Sequence, residues 1–180
     1  MITSSDIKSV MLSHWRYKKQ CPLVALEACA WEIGGTSDVL AVKENGLLID
    51  IEVKLSISDF KADIKKMKHL YFAGSDSNQP TAYFYFAVPN KMADEIATLC
   101  TELYPYAGVI GTDGVTHGSN DHTQDVKYYR SAKRLEYTKL TLSEMAGIVK
   151  GLSATVCRLA KELQDIKQLG PQEPEGVRDE

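Results

Sequence analysis

Apolar and polar positions in the first part of the chain predict a helix followed by extended segments. Ser4 and Ser5 are suited to cap a first helix. Its apolar positions, at helical spacing, are Ile7, Val10, Met11, Leu12 and Trp15. Residues 23–31 fit either a helix or a strand over so short a run, and we favour a helix or the end of one.

A hairpin is the clearest prediction in the chain. Two apolar segments, 37–42 and 47–55, flank the turn residues 43–46, which end in Asn45-Gly46. An Asn-Gly pair between apolar runs is a strong hairpin signal, so we expect two adjacent antiparallel strands. Ser58 then predicts the start of a helix over residues 59–73, followed by a polar loop over 74–80.

The second half of the chain predicts further strands alternating with helices. Residues 81–89 form an aromatic, apolar run typical of a central strand, and we expect its aromatic residues 83–86 to be core. Further elements are a helix over 91–103 capped by Asn90, a strand over 107–111, a loop over 112–124, a strand over 126–129 and a helix from Thr141 to about residue 169. The whole predicts an α/β fold with a mixed central sheet flanked by helices, in a single domain of residues 1–170 with its core at about 22–111 and a disordered tail at 171–180.

Composition excludes several classes of protein. The chain has 180 residues, 44% hydrophobic and 25% charged, which is globular composition. No apolar run approaches the roughly 18 residues that span a bilayer, and the first 20 residues lack a secretory pattern, so we expect a cytoplasmic protein. No C-x-x-C pair occurs, so neither a zinc site nor a redox dithiol is indicated. We expect reduced, mostly buried thiols at Cys21, Cys29, Cys100 and Cys157.

Candidate chemistry lies on the predicted hairpin. Strand periodicity places Asp50, Glu52 and Lys54 on one face, and Asp38 and Glu52 are about equally far from the turn. Adjacent carboxylates repel unless a cation lies between them, and a hard divalent ion with the Val53 carbonyl as a further ligand satisfies that need. Lys54 would then hold or deprotonate a water, or stabilise charge on a phosphoryl oxygen. The alternative is a solvent-facing charged trio.

The arrangement of Asp38, thirteen intervening residues and Glu52-Val53-Lys54 resembles the PD-(D/E)xK nuclease superfamily. The runs SDVLAV, LLIDIEVKLSISDFKAD and YFYFAVP look like those of the MmcB-like DNA-repair proteins and their phage relatives. The resemblance covers about residues 23–111, with weaker similarity over 130–140. Ser37 stands where the superfamily usually has proline.

This resemblance implies a restriction-endonuclease-like αβββαβ core and hydrolysis of DNA phosphodiester bonds with Mg²⁺, for which Mn²⁺ would substitute. It implies Asp38 and Glu52 as catalytic metal ligands and Lys54 as the catalytic lysine. Glu27 matches an acidic residue that such nucleases often carry on a preceding helix, where it binds metal; the alternative is an exposed helical glutamate. Asp50 is better interpreted as an exposed carboxylate at the start of the strand. The implied setting is DNA repair, recombination or phage DNA metabolism.

Two basic segments are candidate contacts for the DNA backbone. Lys61, Lys65 and Lys68 share one face of the predicted helix, and phosphates are mostly bound by such groups. The second segment contains Lys127, Arg130, Lys133, Arg134 and Lys139, beside two tyrosines. A solvated charged face is the alternative for the first segment. His117 and His122 are interpreted as loop residues, since their spacing is uninformative for a metal site.

The sequence therefore favours a metal-dependent deoxyribonuclease. Two alternatives stay open: a DNA-binding repair-accessory module with a weakly active or inactive nuclease-like site, and a structural or partner-binding protein. A net charge of −3 argues against tight non-specific binding to long duplex, and single-stranded, forked and duplex DNA, or RNA, remain open as substrates. The C-terminal helix from Thr141 is a candidate element for a homodimer, with covering of the sheet as its alternative.

Overall fold

The computed structural model describes residues 2–74, 78–114 and 126–169. The α-helices are α1 (Ser4–Ser13), α2 (Ile57–Ala62), α3 (Lys68–Ala73), α4 (Asn90–Leu103) and α5 (Leu142–Leu169). The strands are β1 (Leu23–Ala28), β2 (Ser37–Val42), β3 (Leu48–Val53), β4 (Thr81–Pro89), β5 (Gly108–Thr112) and β6 (Lys127–Arg130). A π-helical turn, His14–Lys18, extends α1, and short 3₁₀ turns occupy Glu32–Gly34 and Asp63–Lys65.

The six strands form one sheet in chain order, β1-β2-β3-β4-β5-β6. The β1–β2 and β2–β3 pairs are antiparallel, the β3–β4 and β4–β5 pairs are parallel, and β6 is antiparallel to β5. The predicted mixed α/β fold is confirmed, and the element order from α1 to β4 is αβββααβ, with α2 and α3 both between β3 and β4. Strand β4 lies inside the sheet between β3 and β5, as its continuous apolar sequence predicts.

The hairpin prediction is confirmed by the β2–β3 ladder. Val39 pairs with Ile51 and Leu40 with Asp50, so the two strands are adjacent and antiparallel, as predicted. Gly46, at φ 81°, supplies the left-handed backbone that such a tight turn requires.

Helices cover both faces of the sheet. On one face α1 packs against Ile49, Ile51 and Val53 of β3. On the other face α2, α3 and α4 pack against Phe84 and Phe86 of β4. The alternation of side chains along β3 sends its charged residues into this second, aromatic layer.

The helix expected at residues 23–31 is wrong, because residues 23–28 form the edge strand β1. Five pairs from Leu23↔Val42 to Ala28↔Ser37 join β1 to β2, and Ala25 is fully buried. Pairing with β2 satisfies the backbone of this run, and periodicity within nine residues could not reveal a partner that lies later in the chain.

The single helix expected over residues 59–73 is also wrong. Two short helices replace it. Ser56, rather than Ser58, caps α2, which ends at Ala62. Lys66 then has an extended conformation (ψ 132°) before α3 begins. This break separates Lys68 from the exposed face that a continuous helix would give it with Lys61 and Lys65, and it turns Lys68 towards the sheet. Tertiary ion pairs therefore override local helix propensity here.

Other boundaries shift by one or two residues. Thr3 caps α1 through a capping box with Asp6, and Thr141, at the predicted start of α5, forms a capping box with Glu144. Two of the four thiols, Cys21 and Cys100, are buried, whereas Cys29 and Cys157 are exposed, and all four are free. Most of the predicted loop over 112–124, with both its histidines, and the tail at 171–180 lie outside the described residues. Among the residues that are described, no helix is long and apolar enough to span a membrane.

Candidate functional site at the end of strand β3

Three charged side chains are buried at the end of β3: two belong to the strand and the third to the residue that follows it. Asp50, Glu52 and Lys54 have 1%, 2% and 4% of their surface exposed. The parallel register aligns Asp50 with Phe84 and Glu52 with Phe86, so both carboxylates enter an aromatic layer. The expectation that Asp50 is exposed is wrong, and burial of such groups requires partners of opposite charge.

Two lysines from the following segment neutralise Glu52. Lys66 Nζ lies 2.6 Å from Glu52 Oε2, and Lys68 Nζ lies 2.5 Å from Glu52 Oε1. Lys68 also lies 3.1 Å from Asp50 Oδ2, and Lys54 Nζ is 3.6 Å from Glu52 Oε2. The motif glutamate is therefore surrounded by three ammonium groups.

Asp63 is a second centre of the same network. Its carboxylate accepts from Lys54 Nζ at 2.6 Å and Lys66 Nζ at 2.9 Å, and its Oδ2 lies 2.7 Å from His69 Nε2. His69 Nδ1 lies 2.7 Å from the Tyr106 hydroxyl. An ionised carboxylate only accepts, so Nε2 is the donor of His69 to Asp63. A continuous chain of contacts thus runs from Tyr106 to Lys54.

The pKa values follow from this balance of burial and charge. Burial raises the pKa of Asp50, although Lys68 opposes the change. Burial also acts to raise the pKa of Asp63, but hydrogen bonds from His69, Lys54 and Lys66 outweigh it and lower that pKa. Burial acts to lower the pKa values of Lys66 and Lys68. The neighbouring carboxylates act in the opposite direction and outweigh burial, so both pKa values are raised. Lys54 Nζ also lies 3.7 Å from Asp59 Oδ1, so three lysines and four carboxylates form one charge network.

Asp38 has a different set of partners. Its Oδ2 accepts a hydrogen bond of 2.8 Å from the Val53 amide, and its Oδ1 lies 2.8 Å from Lys8 Nζ on α1. Lys8 Nζ also lies 3.1 Å from Glu27 Oε1. The ammonium group of Lys8 thus bridges the two carboxylates; burial lowers the pKa of Lys8, but its bonds to Asp38 and Glu27 outweigh that and raise it.

Glu27 lies near the end of β1 and not on the predicted helix. Its φ is 49°, a left-handed conformation that is uncommon outside glycine. Such strain persists only where surrounding structure holds it, and it concentrates at functional sites. The unusual backbone accompanies a carboxylate that contacts Lys8 beside Asp38.

The predicted motif is therefore brought together in two parts. Glu52 and Lys54 are neighbours in the buried network, whereas Asp38 and Glu27 meet at Lys8. The hydrogen bond from the Val53 amide to Asp38 joins the two parts.

Oxygen donors of the kind that Mg²⁺ prefers are present, namely the carboxylates of Asp38 and Glu52 and the backbone of Val53. A further buried oxygen, Asp50 Oδ1, has no hydrogen-bond partner within the described residues. Within those same ranges, however, no three acidic, histidine or cysteine side chains are grouped to hold an ion. The donor types fit a divalent ion, and ammonium groups stand at the carboxylate oxygens that would bind it.

The predicted DNA contacts divide into exposed and structural residues. Lys61 and Lys65 are exposed, but Lys68 is buried against Asp50 and Glu52, so its assignment to the exposed basic face is wrong. The break after α2 causes this difference.

In the second basic segment Arg130 has a structural position. Its guanidinium donates to the carbonyls of Tyr104, Pro105 and Ala107 and so ties β6 to the end of α4. Lys133 and Arg134 are exposed, and Arg134 donates to the Tyr137 hydroxyl at 2.7 Å. These two side chains remain candidates for phosphate contacts.

Sequence reasoning missed the roles of Lys8, Asp63 and Lys66. A signal existed for Asp63 and Lys66, since charges buried beside aromatic residues require counter-ions. Both residues follow Glu52 within 14 positions. Lys8 carried no comparable signal, because its contact with Asp38 depends on how α1 crosses the sheet.

Comparison with solved structures shows a shared fold. The chain is similar to the SPO1766 protein of unknown function from Silicibacter pomeroyi, with 19% identity, a TM-score of 0.58, and coverage of 96% of this chain and 99% of that one. No model of a known protein family and no curated protein matches the chain.

Proposed function

We propose that the protein is a metal-dependent nuclease that hydrolyses phosphodiester bonds in DNA. The observation that carries the proposal is the hydrogen bond from the Val53 amide to Asp38. Val53 lies between Glu52 and Lys54 in the sequence, and both of those side chains are buried. This contact holds Asp38 against the Glu52-Val53-Lys54 segment, which supports treating these residues as one site.

Asp38 and Glu52 are the residues that would hold Mg²⁺, with Glu27 beside Asp38 as an additional carboxylate. When bound, the ion would lower the pKa of a water and neutralise charge on the scissile phosphate. The chain's own contribution is to hold these carboxylates in place through ammonium groups, with Lys8 at Asp38 and Glu27 and Lys66 and Lys68 at Glu52.

Lys66 is the residue best placed to respond to DNA. Its side chain is 43% exposed although Nζ contacts both Glu52 and Asp63. An arriving phosphate would compete with these carboxylates for the ammonium group, because lysine binds phosphate as a point charge. Such an exchange would release Glu52 Oε2 from Lys66 and leave Lys54 Nζ, at 3.6 Å, as the ammonium group beside it.

Lys54 has a fixed position for a role in the reaction. Asp63 binds its Nζ at 2.6 Å, and His69 orients Asp63 from the other side. A preorganised ammonium group stabilises charge that develops on a phosphoryl oxygen, or holds the attacking water.

A second function is favoured by a specific observation. Both oxygens of Glu52 carry lysine contacts of 2.5 and 2.6 Å. If these contacts persist with DNA bound, the protein is a DNA-binding accessory module without turnover. Cleavage and binding measured on the same DNA separate the two functions.

The test uses labelled single-stranded, duplex and forked DNA with Mg²⁺, Mn²⁺ or EDTA. Asp38→Asn, Glu52→Gln and Lys54→Met are the site variants, and Glu95→Gln on the exposed surface of α4 is the matched control. We expect metal-dependent cleavage that the control retains and the site variants lose by at least about 100-fold. Circular dichroism establishes that each variant is folded.

Cleavage by folded Asp38→Asn and Lys54→Met at the parent rate would overturn the nuclease assignment. Binding without cleavage by the parent protein in every metal would favour the accessory module instead.

A further inference from the structure

Helix α5 packs on the sheet only along its first part. Ile148 is buried, and Met145 and Leu152 pack against the core beside β1 and β2. Every described side chain from residue 153 to residue 167 is exposed. About four turns of helix therefore extend beyond the contacts that hold α5 to its own sheet.

An isolated helix of this length is marginal in water, because most helical stability comes from packing of an apolar face. The extended part nevertheless has large apolar side chains with 46–65% of their surface exposed: Val149, Val156, Leu159, Leu163 and Ile166. Their number indicates a surface that is covered by a partner.

These apolar residues follow a heptad repeat without interruption. The a positions are Leu142, Val149, Val156 and Leu163. The d positions are Met145, Leu152, Leu159 and Ile166. Spacing of this kind over four heptads is the pattern of a coiled coil. Because Met145 and Leu152 pack on the chain's own sheet, the exposed seam begins at Val149.

The residue types at these positions indicate how many helices would pair. In the exposed seam Val149 and Val156 occupy a positions and Leu159 a d position, whereas Leu152 packs on the sheet. The last heptad has Leu163 at a and Ile166 at d, a combination that shifts the preference to more than two helices. A β-branched residue at a with leucine at d favours two parallel strands.

The charged residues beside the seam also fit a second copy of the same helix in parallel orientation. Glu162 occupies a g position and Lys167 the following e position. In a parallel pair in register, g of one helix contacts the following e of the other, so Glu162 of each copy would meet Lys167 of the second copy. The same helix is therefore complementary to itself.

The opposite face of α5 is polar or small. Arg158, Lys161, Gln164 and Asp165 are exposed on this face, and Arg158 forms an ion pair of 2.7 Å with Glu162 at the edge of the seam. Only one stripe of the extended helix is thus suited to apolar contact.

We infer that residues 149–166 of α5 form a parallel, in-register, two-stranded coiled coil with a second copy of this chain. The inference is independent of the proposed nuclease function. The second copy would cover the exposed apolar stripe, and the paired C-terminal helices would connect the sheets of the two copies.

Sedimentation equilibrium on the full chain tests the stoichiometry. Val156→Glu with Leu163→Glu places two charges in the seam, and Ala154→Glu with Gln164→Glu adds the same charge on the outer face. We expect a dimer for the parent and the outer-face variant, and at least a 100-fold weaker dimer for the seam variant. A monomeric or trimeric parent, or a seam variant that dimerises as the parent does, would overturn the inference.

Cysteine cross-linking tests the direction of the helices. The exposed Cys29 and Cys157 are first replaced by serine, and Ile166→Cys or the outer-face Lys161→Cys is introduced. A parallel pair places residue 166 opposite itself, so mild oxidation should cross-link Ile166→Cys and leave Lys161→Cys reduced. Equal cross-linking of both, or none at residue 166, would contradict a parallel, in-register pair.

Discussion

The ammonium group of Lys68 lies 2.5 Å from Glu52 Oε1, and no part of the Lys68 side chain is exposed. This contact joins the residue that begins α3 to the glutamate of the predicted catalytic motif. Because Lys68 also binds Asp50, it compensates two buried carboxylates at once.

Replacing Lys68 should therefore be costly. We expect Lys68→Met to lower the free energy of unfolding by roughly 3–5 kcal/mol, because it leaves buried carboxylates without their partner. Chemical denaturation measures the change. The exposed neighbour Lys65→Met is the control and should stay within about 0.5 kcal/mol of the parent. A loss below about 1 kcal/mol for Lys68→Met would mean that Lys66 and Lys54 suffice.

The stability should fall in mild acid because of His14. Burial, with Lys19 and Lys18 nearby, lowers the pKa of His14 to about 4, from about 6.5 in the unfolded chain. Between these values the unfolded state binds more protons, so this contribution to stability is complete above about pH 6.5 and is lost as the pH falls towards 4.

Unfolding curves between pH 5 and 8 check this dependence. His14→Gln should flatten the change in the free energy of unfolding across this window, whereas the exposed Lys61→Gln should keep it. A His14→Gln variant that loses stability as steeply as the parent would assign the effect to other groups.

Asp63 should control stability at lower pH. Its hydrogen bonds from His69, Lys54 and Lys66 hold its pKa below the ordinary value despite burial. A lowered folded pKa means that its stabilisation is present above about pH 4 and is lost as the pH falls further. Asp63→Asn should destabilise the protein at pH 7 and reduce the loss of stability below pH 4, as followed by circular dichroism. An unchanged acid transition in Asp63→Asn would contradict this assignment.

Gly108 should not tolerate a side chain. A Cβ there would lie 2.3 Å from Tyr85 Cε1 and 2.7 Å from the Ala132 backbone nitrogen. We expect Gly108→Ala to destabilise the fold by about 1–3 kcal/mol, because a packed aromatic ring and a backbone must both move. Gly147→Ala is the opposite case, since no described atom lies within 4 Å and alanine favours the helix by about 1 kcal/mol. Equal melting temperatures for the two variants would refute the expectation.

If the protein binds DNA, Lys61 and Lys65 should contribute to the salt dependence. Replacing both by alanine should weaken binding and reduce the slope of log K against log salt by up to about 2, because each phosphate contact releases about one counterion. Lys91→Ala with Lys150→Ala removes the same charge from α4 and α5 and should leave the slope unchanged. Fluorescence anisotropy over a salt series measures both. Equal slopes for the two double variants would exclude this basic face as the DNA contact.

The sequence alone determined the elements whose signals are local. The Asn45-Gly46 turn predicted the antiparallel β2–β3 pair, the aromatic run predicted the central strand β4, and Thr141 predicted the start of α5. Each signal depends on residues within a few positions, where turn geometry, side-chain period and capping chemistry act directly.

Strand period also placed Asp50, Glu52 and Lys54 on one face, and the pattern with Asp38 indicated a site. Only the tertiary structure decided their partners. Lys8 reaches Asp38 because α1 crosses the sheet there, and the break after α2 sends Lys68 inward to Glu52. Burial determines how strongly such charges need partners, and burial is set by packing between elements distant in the chain, which no local pattern encodes.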